Sequence, residues 1–239
     1  MGRAFEYRKA TKMKRWSNMA RVFTKIGREI SIAVKSGGGD PNNNPRLRAA
    51  VQNAKKANMP KTNVESAIKK ATSKDAENYN EVVYEGYGPH GVAIMVETTT
   101  DNPTRTVANI RMYFNKSGGS MGTFGSVDFM FTRKSMFRVK KDAMPDYEEM
   151  ELDMIDFGLI EIQVEEDELV IYANFEDYGV MQKFLESKDI EIEEAGLIRT
   201  PNTTTALSDE QAEAIFKLID KFEDDDDVAN VFHAMDMSE

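Results

Sequence analysis

Apolar residues recur at steps of three and four through Trp16, Met19, Phe23, Ile26, Ile30 and Ala33, which places them on one face of an α-helix. Gly37-Gly38-Gly39-Asp40-Pro41 ends that helix, because glycine frees the backbone and proline cannot continue the hydrogen-bond ladder. Asn44 is placed to cap a second helix with Pro45 at its first position and Leu47, Ala50, Val51 and Ala54 as a narrow apolar face. Asn58-Met59-Pro60 closes it. Thr62 followed by Glu65 predicts a capping box for a third helix, with Val64, Ala67, Ile68 and Ala71 facing inward.

Beyond this helical part the period changes. Gly91 to Glu97 reads as a buried strand, and Val127 to Phe131 alternates as a half-exposed one. Between them Asn102 or Thr104 starts a helix with Val107, Ile110 and Phe114 on its core face, stopped by Gly118-Gly119. Near the C-terminus a short strand over Thr203 to Leu207 precedes a Ser208/Gln211 capping box. A helix through Ala212, Ile215, Leu218, Ile219 and Phe222 follows, then a strand over Val228 to Ala234. The two halves make a β-α-β-β-α-β order, in which two helices cover one face of a four-stranded antiparallel sheet. Residues 135–200 repeat that order alone: strand 136–139, helix 146–157, strands 159–164 and 169–173, helix 177–187 and strand 190–198.

The predicted fold is therefore α+β and multidomain. A basic three-helix domain spans 1–78, a discontinuous ferredoxin-like α+β domain spans 79–134 and 201–239, and a second ferredoxin-like domain is inserted at 135–200.

Charge sharpens this division. Residues 1–75 hold 18 Lys and Arg against 5 Asp and Glu, a balance of +13, and the remainder carries −23, although the whole chain is only −10. Such asymmetry points to an N-terminal part that meets a polyanion and a remainder that repels one; the bland alternative is a solvated basic bundle. The cations expected to contact phosphate are Lys9, Lys12, Lys14, Arg15, Arg21, Lys25 and Arg28 on the first helix, Arg46, Arg48, Lys55 and Lys56 on the second, and Lys61, Lys69 and Lys70 on the third. The Gly37 to Gly39 run reads as a hinge that lets the first helix adapt to its ligand.

Tyr84, Tyr87 and Phe124 are candidates to stack on bases, against the commoner role of packing. The Asp224 to Asp227 run reads as a solvated acidic turn or a partner-facing patch, because consecutive residues at a helix end diverge and do not converge on one ion. The chain has no cysteine, only His90 and His233, and no phosphate-loop or dinucleotide fingerprint, so no cofactor, metal or catalytic group is expected. No stretch approaches the ~18 apolar residues of a membrane span, and a cytoplasmic location is expected.

The string Phe23-Thr24-Lys25-Ile26-Gly27-Arg28-Glu29-Ile30, then Gly38-Gly39-Asp40-Pro41 and Asn44 to Ala50, resembles the YebC family. So do Asn58-Met59-Pro60-Lys61, Tyr84-Glu85-Gly86-Tyr87-Gly88-Pro89, Thr100-Asp101-Asn102, Arg105-Thr106, Gly118-Gly119, Gly122-Thr123, Gly125-Ser126-Val127 and Glu223 to Val228. The resemblance runs in register from about residue 20 to the C-terminus. It implies three domains, the last inserted in the second, and transcriptional regulation through DNA binding. The same resemblance leaves an alternative, a translation factor that binds RNA at the ribosome, since relatives include the mitochondrial translational activator of cytochrome oxidase subunit one. An adaptor working through the acidic domains is the third reading. Two departures stand out: the opening Gly2-Arg3-Ala4-Phe5 in place of the family's His-Ser-Lys-Trp, and His90 where many relatives have glycine.

Overall fold

A computed structural model describes residues 19–73 and 77–237. The described residues fall into two compact units, one of residues 19–28, 77–132 and 200–237, the other of residues 29–73 and 133–199. Both are α+β, each built on a four-stranded sheet.

In the first unit β1 (Asn80–Tyr87) pairs antiparallel with β2 (Ala93–Thr100) from Asn80↔Thr100 to Tyr87↔Ala93. β3 (Ser120–Met121) adds to the outer side of β1, and β8 (Val228–His233) to β2, giving the order β3-β1-β2-β8. Seven of the eight residues of β2 are buried, as its central position requires. Helix α4 (Pro103–Lys116) is capped by Asn102, whose side chain accepts from Arg105 N, and α7 (Asp209–Glu223) by the expected Ser208/Gln211 box. Both helices bury their apolar faces on Tyr84, Ile94 and Val96, with Ile110, Phe114, Ile215, Leu218 and Phe222 between. The Phe114 and Phe222 rings meet edge to face at 4.9 Å.

Two predicted strands of this unit are corrected. Asp128–Met130 is a 3-10 turn, and the strand that follows it, β4 (Phe131–Lys140), belongs to the other sheet. The alternation of apolar residues is not one of burial: Val127 and Phe131 are buried on the open face of the sheet beside Ala93 and Met95, while Phe129 between them points to solvent. At 203–207 only Thr205 makes a bridge, to Met235. The strands missing from the predicted order are β1 and the short β3.

The second unit contains α1 from Glu29 onward (the helix spans Met19–Gly37), α2 (Pro45–Lys56) and α3 (Lys61–Ala71). Its sheet joins β4 to β5 (Leu159–Val164), β6 (Glu168–Asn174) and β7 (Ile192–Pro201) in the order β5-β6-β4-β7, with α5 (Tyr147–Ile155) and α6 (Tyr178–Ser187) as crossovers. The succession of strand, helix, two strands, helix and strand along the chain is the one expected for the inserted segment. Its core joins Phe137, Val139, Leu169, Ile171, Met181 and Leu185, and Ala49 of α2 packs into the same cluster.

The glycine run is tied at both ends in the structure. Gly38 sits at φ +83°, its N–H closes onto the Val34 carbonyl at 2.8 Å, and a Cβ on Gly37 would lie 2.7 Å from the Asn44 side chain. Asn44, 3% exposed, caps α2 through Leu47 N and also donates to the carbonyls of Ala33 (2.6 Å) and Gly38 (2.9 Å). One side chain therefore locks the end of α1 to the start of α2. The Thr62/Glu65 capping box is also absent: α3 begins after Pro60 with no side-chain cap, and Thr62 lies inside the helix. His90 adopts φ +62° in the turn between β1 and β2, a conformation in which glycine carries no steric cost.

Candidate nucleic-acid interface

Lys9, Lys12, Lys14 and Arg15 lie outside the described residues. The remaining predicted cations fall into two groups according to what their side chains meet.

Arg21, Lys25 and Arg28 line one side of α1 at helical spacing and turn to the C-terminal end of α7. Arg21 Nη1 lies 2.7 Å from Asp224 Oδ1, with the two side chains 41% and 55% exposed. Lys25 Nζ donates to the Glu223 carbonyl at 2.7 Å. Arg28 goes deeper: its Nη1 donates to the carbonyls of Asp226 (2.6 Å) and Thr99 (3.1 Å) and to the Asp227 carboxylate (2.8 Å). Cations are favoured here because the unpaired carbonyls and the negative end of the helix dipole coincide with four carboxylates in a row.

Asp227 is the centre of this cluster. Only 3% exposed, it accepts from Arg105 (2.7 Å), from the Thr106 hydroxyl (2.7 Å), from the Thr100 hydroxyl (3.1 Å) and from Arg28. Burial pushes its carboxyl up, but the bonds from Arg105, Thr106 and Arg28 outweigh that and hold it below the usual range. Arg105 in turn rises above the ordinary guanidinium value through its bonds to Asp227 and Asp101. Next to it Asp225 accepts from Asn109 Nδ2 (3.1 Å) and the Tyr113 hydroxyl (3.0 Å), and burial followed by the Asp225 charge pushes that phenol up to about 12. The acidic run is thus divided: Asp225 and Asp227 brace the fold, and Asp224 stays at the surface. Among the described residues no group of His, Asp and Glu is arranged to hold a metal ion.

In the second unit Arg46 makes a two-pronged pair with Glu29 (2.8 and 3.3 Å). Arg48, 15% exposed at its side chain, bridges Glu186 (2.8 Å) to the carbonyls of Pro41 and Asn42. Both arginines are structural in geometry. Lys55 meets Glu191 at 2.5 Å and Lys56 meets Glu194 at 2.7 Å, the first with both partners largely in water. The Glu191 bond raises the Lys55 ammonium and lowers the Glu191 carboxyl. On α3 only Val64 is buried; Lys61, 90% exposed, is 3.8 Å from Glu65, and Lys69 and Lys70 are exposed at the helix's last turn.

Of the aromatic candidates, Tyr84 is core, 9% exposed with its hydroxyl near the Pro103 carbonyl. Tyr87 is 36% exposed, and Phe124 is 90% exposed. Phe129, which no sequence signal singled out, is 73% exposed. Sequence reasoning also passed over Asp227, Arg105 and Thr106 as a working cluster, although both strings stood among the family-like motifs.

Among the described residues no helix is long and apolar enough to cross a membrane. Residues 3–74 match the TACO1/YebC protein N-terminal domain, and residues 79–235 match the TACO1/YebC second and third domain. A "Probable transcriptional regulatory protein" of Porphyromonas gingivalis is 60% identical over 98% of this chain and 97% of its own length. One of the same description from Flavobacterium johnsoniae is 56% identical over 98% and 99%. The crystal structure of a conserved hypothetical protein from Aquifex aeolicus superposes with a TM-score of 0.82 at 38% identity, covering 93% of this chain and 92% of that one.

Proposed function

The chain belongs to the TACO1/YebC family, whose matched relatives are named as transcriptional regulators, and from that premise we propose that it regulates gene expression by docking its basic N-terminal part on a phosphate backbone. The observation that carries this is the division of charge, +13 over residues 1–75 against −23 over the rest. Each Lys or Arg that neutralises a phosphate releases a condensed counterion, so a part of the chain this basic gains affinity from any nucleic acid.

Local geometry supports some cations for this task more than others. Arg28, Arg46 and Arg48 hold protein oxygens in part-buried sites and would leave carboxylates or carbonyls uncompensated if they turned away. The exposed Lys55–Glu191 and Lys61–Glu65 pairs are different. Exposed ion pairs contribute little to stability, so either lysine exchanges its carboxylate for a phosphate at little cost. Lys55, Lys61, Lys69 and Lys70 are therefore the phosphate contacts of the described part, with Lys9, Lys12, Lys14 and Arg15 added by charge. DNA is the polymer that the relatives' names suggest. The RNA reading, a factor acting in translation, is favoured by one observation, the exposed ring of Phe124.

The test is a titration of labelled duplex DNA and single-stranded RNA with the intact chain and a Lys55→Glu/Lys61→Glu/Lys69→Glu/Lys70→Glu variant at several salt concentrations. Log affinity should fall linearly with log salt, at roughly 0.9 per phosphate contact on duplex and 0.7 on single strands. The variant should bind more weakly with a shallower slope. An intact chain that binds neither polymer at low salt would overturn the proposal.

A further inference from the structure

The segment from Ser117 to Val127 contains no Asp, Glu, Lys or Arg, although 30% of the chain is charged. It leaves α4, forms the short strand β3, and then folds back over the open face of the first unit's sheet, where Val127 and Phe131 are buried against Ala93 and Met95. This loop is held from beneath. Glu85, on β1 and 2% exposed, accepts backbone N–H bonds from Gly125 (2.7 Å), Val127 (2.7 Å) and Asp128 (2.9 Å). A buried carboxylate satisfied by three loop amides fixes the loop's backbone as firmly as a strand pairing would. The Gly122 N–H adds a bond to the Glu85 carbonyl at 2.8 Å. A Cβ on Gly119 would overlap the Tyr87 carbonyl oxygen, so the chain there is packed backbone on backbone. At the apex Gly125 takes φ +81°.

What this brace presents is Phe124, 90% exposed between Thr123 and Gly125, with Phe129, 73% exposed, at the loop's end. A flexible loop would turn such rings inward to remove them from water; this one is prevented from doing so by its own backbone bonds. We infer that the loop is a stacking platform for unpaired nucleobases of a single-stranded nucleic acid, with Phe124 as the principal ring. This deepens, and rests on, the nucleic-acid reading above.

Three features favour a base over a protein partner. The neighbours of Phe124 are Gly122, Thr123, Gly125 and Ser126, which leave the ring's faces uncovered and supply no apolar surround of the kind that seals a protein hot spot. Every base offers a π-face, so a lone rigid ring suits a polymer of any sequence. The loop adds no charge of its own between Ser117 and Val127, and the Glu85 carboxylate beneath it is taken up by three backbone amides. Its β3 pairs at the Tyr87–Ala93 end of the sheet, whereas the acidic run meets β2 at Thr99, about 20 Å away at ~3.3 Å per residue, well beyond the ~8 Å over which exposed charges act in physiological salt.

Stacking and phosphate contacts leave different signatures, so they are separable in the full-length chain. Affinities for a 20-nucleotide single-stranded RNA, the matching single-stranded DNA and a DNA duplex are measured by fluorescence anisotropy across salt for wild type, Phe124→Ala, Phe124→Leu, Phe124→Trp and Phe124→Ala/Phe129→Ala. Circular dichroism confirms folding of each, which the exposure of both rings predicts. Phe124→Ala should weaken single-strand binding by about tenfold, within the range of one aromatic stack, leave the salt slope unchanged and leave duplex binding within twofold. Phe124→Trp should bind like wild type, and Phe124→Leu like Phe124→Ala. Full affinity in both alanine variants overturns the inference, as does full affinity in Phe124→Leu, which would show that apolar contact and not ring stacking holds the strand. A wild-type chain that binds duplex but no single strand also overturns it while leaving the proposed function standing; failure to bind either polymer removes both.

Discussion

Replacing Asp227 by Asn tests whether the acidic run is a structural hub. The substitution keeps the shape but removes the charge and one acceptor at a site 3% exposed, where one carboxylate oxygen takes Arg105 (2.7 Å) and Thr106 (2.7 Å) and the other takes Arg28 (2.8 Å). The amide NH2 must then face a guanidinium or a hydroxyl it cannot accept from. Removing one partner of a buried pair costs about 3–5 kcal/mol, but Arg105 is 46% exposed and recovers part of its loss from water. About 3 kcal/mol is expected, a large share of a typical 5–15 kcal/mol total, and a fall in the melting temperature of about 10 °C.

The pH dependence fixes the sign. Because the folded-state carboxyl is held below its ordinary value, its stabilisation is present above pH ~4, where the unfolded group is ionised, and is lost as pH falls through the lower folded value. Thermal unfolding followed by circular dichroism should show a constant gap between wild type and Asp227→Asn from about pH 5 to 8, closing below about pH 4. A gap under about 0.5 kcal/mol at neutral pH, or one that widens in acid, would refute the hub.

Other outcomes follow from the same geometry. Asp224→Asn, which frees the half-exposed Arg21 and removes a competing carboxylate, should raise nucleic-acid affinity by about two- to fivefold in low salt with little change in melting temperature; unchanged affinity would show that Arg21 contacts no phosphate. Asn44→Ala loses a helix cap and two further bonds at a buried site and should cost about 2–3 kcal/mol in chemical denaturation. Gly38→Ala forces a side chain into φ +83° and should cost about 1 kcal/mol or more; a stabilised variant would restore the hinge reading.

Much of the architecture is legible in the residues. The inserted fold, the Asn44, Asn102 and Ser208 caps and the face of α7 all follow from local pattern, because periodicity and cap chemistry depend on neighbours a few positions away. β1 was hidden by the same logic: its inward-facing Glu85 and its glycine break the alternation that marks a half-buried strand, and only the loop amides that satisfy the carboxylate make that position affordable. Val127 to Phe131 failed in the opposite sense: the apolar residues alternate, but a 3-10 turn buries only Val127 and Phe131 and leaves Phe129 in water.

The candidate interface divides in the same way. Sequence determines how much positive charge the first 75 residues carry, since charge is a property of composition. It does not determine which cations are already engaged, because the partners of Arg28 and Arg48 lie 199 and 138 residues away along the chain. Nor does it separate Tyr84, sealed in a core, from Phe124, held in water on a braced loop. Only the tertiary structure decides that, since burial and pairing belong to residues brought together across the fold and leave no period in the chain.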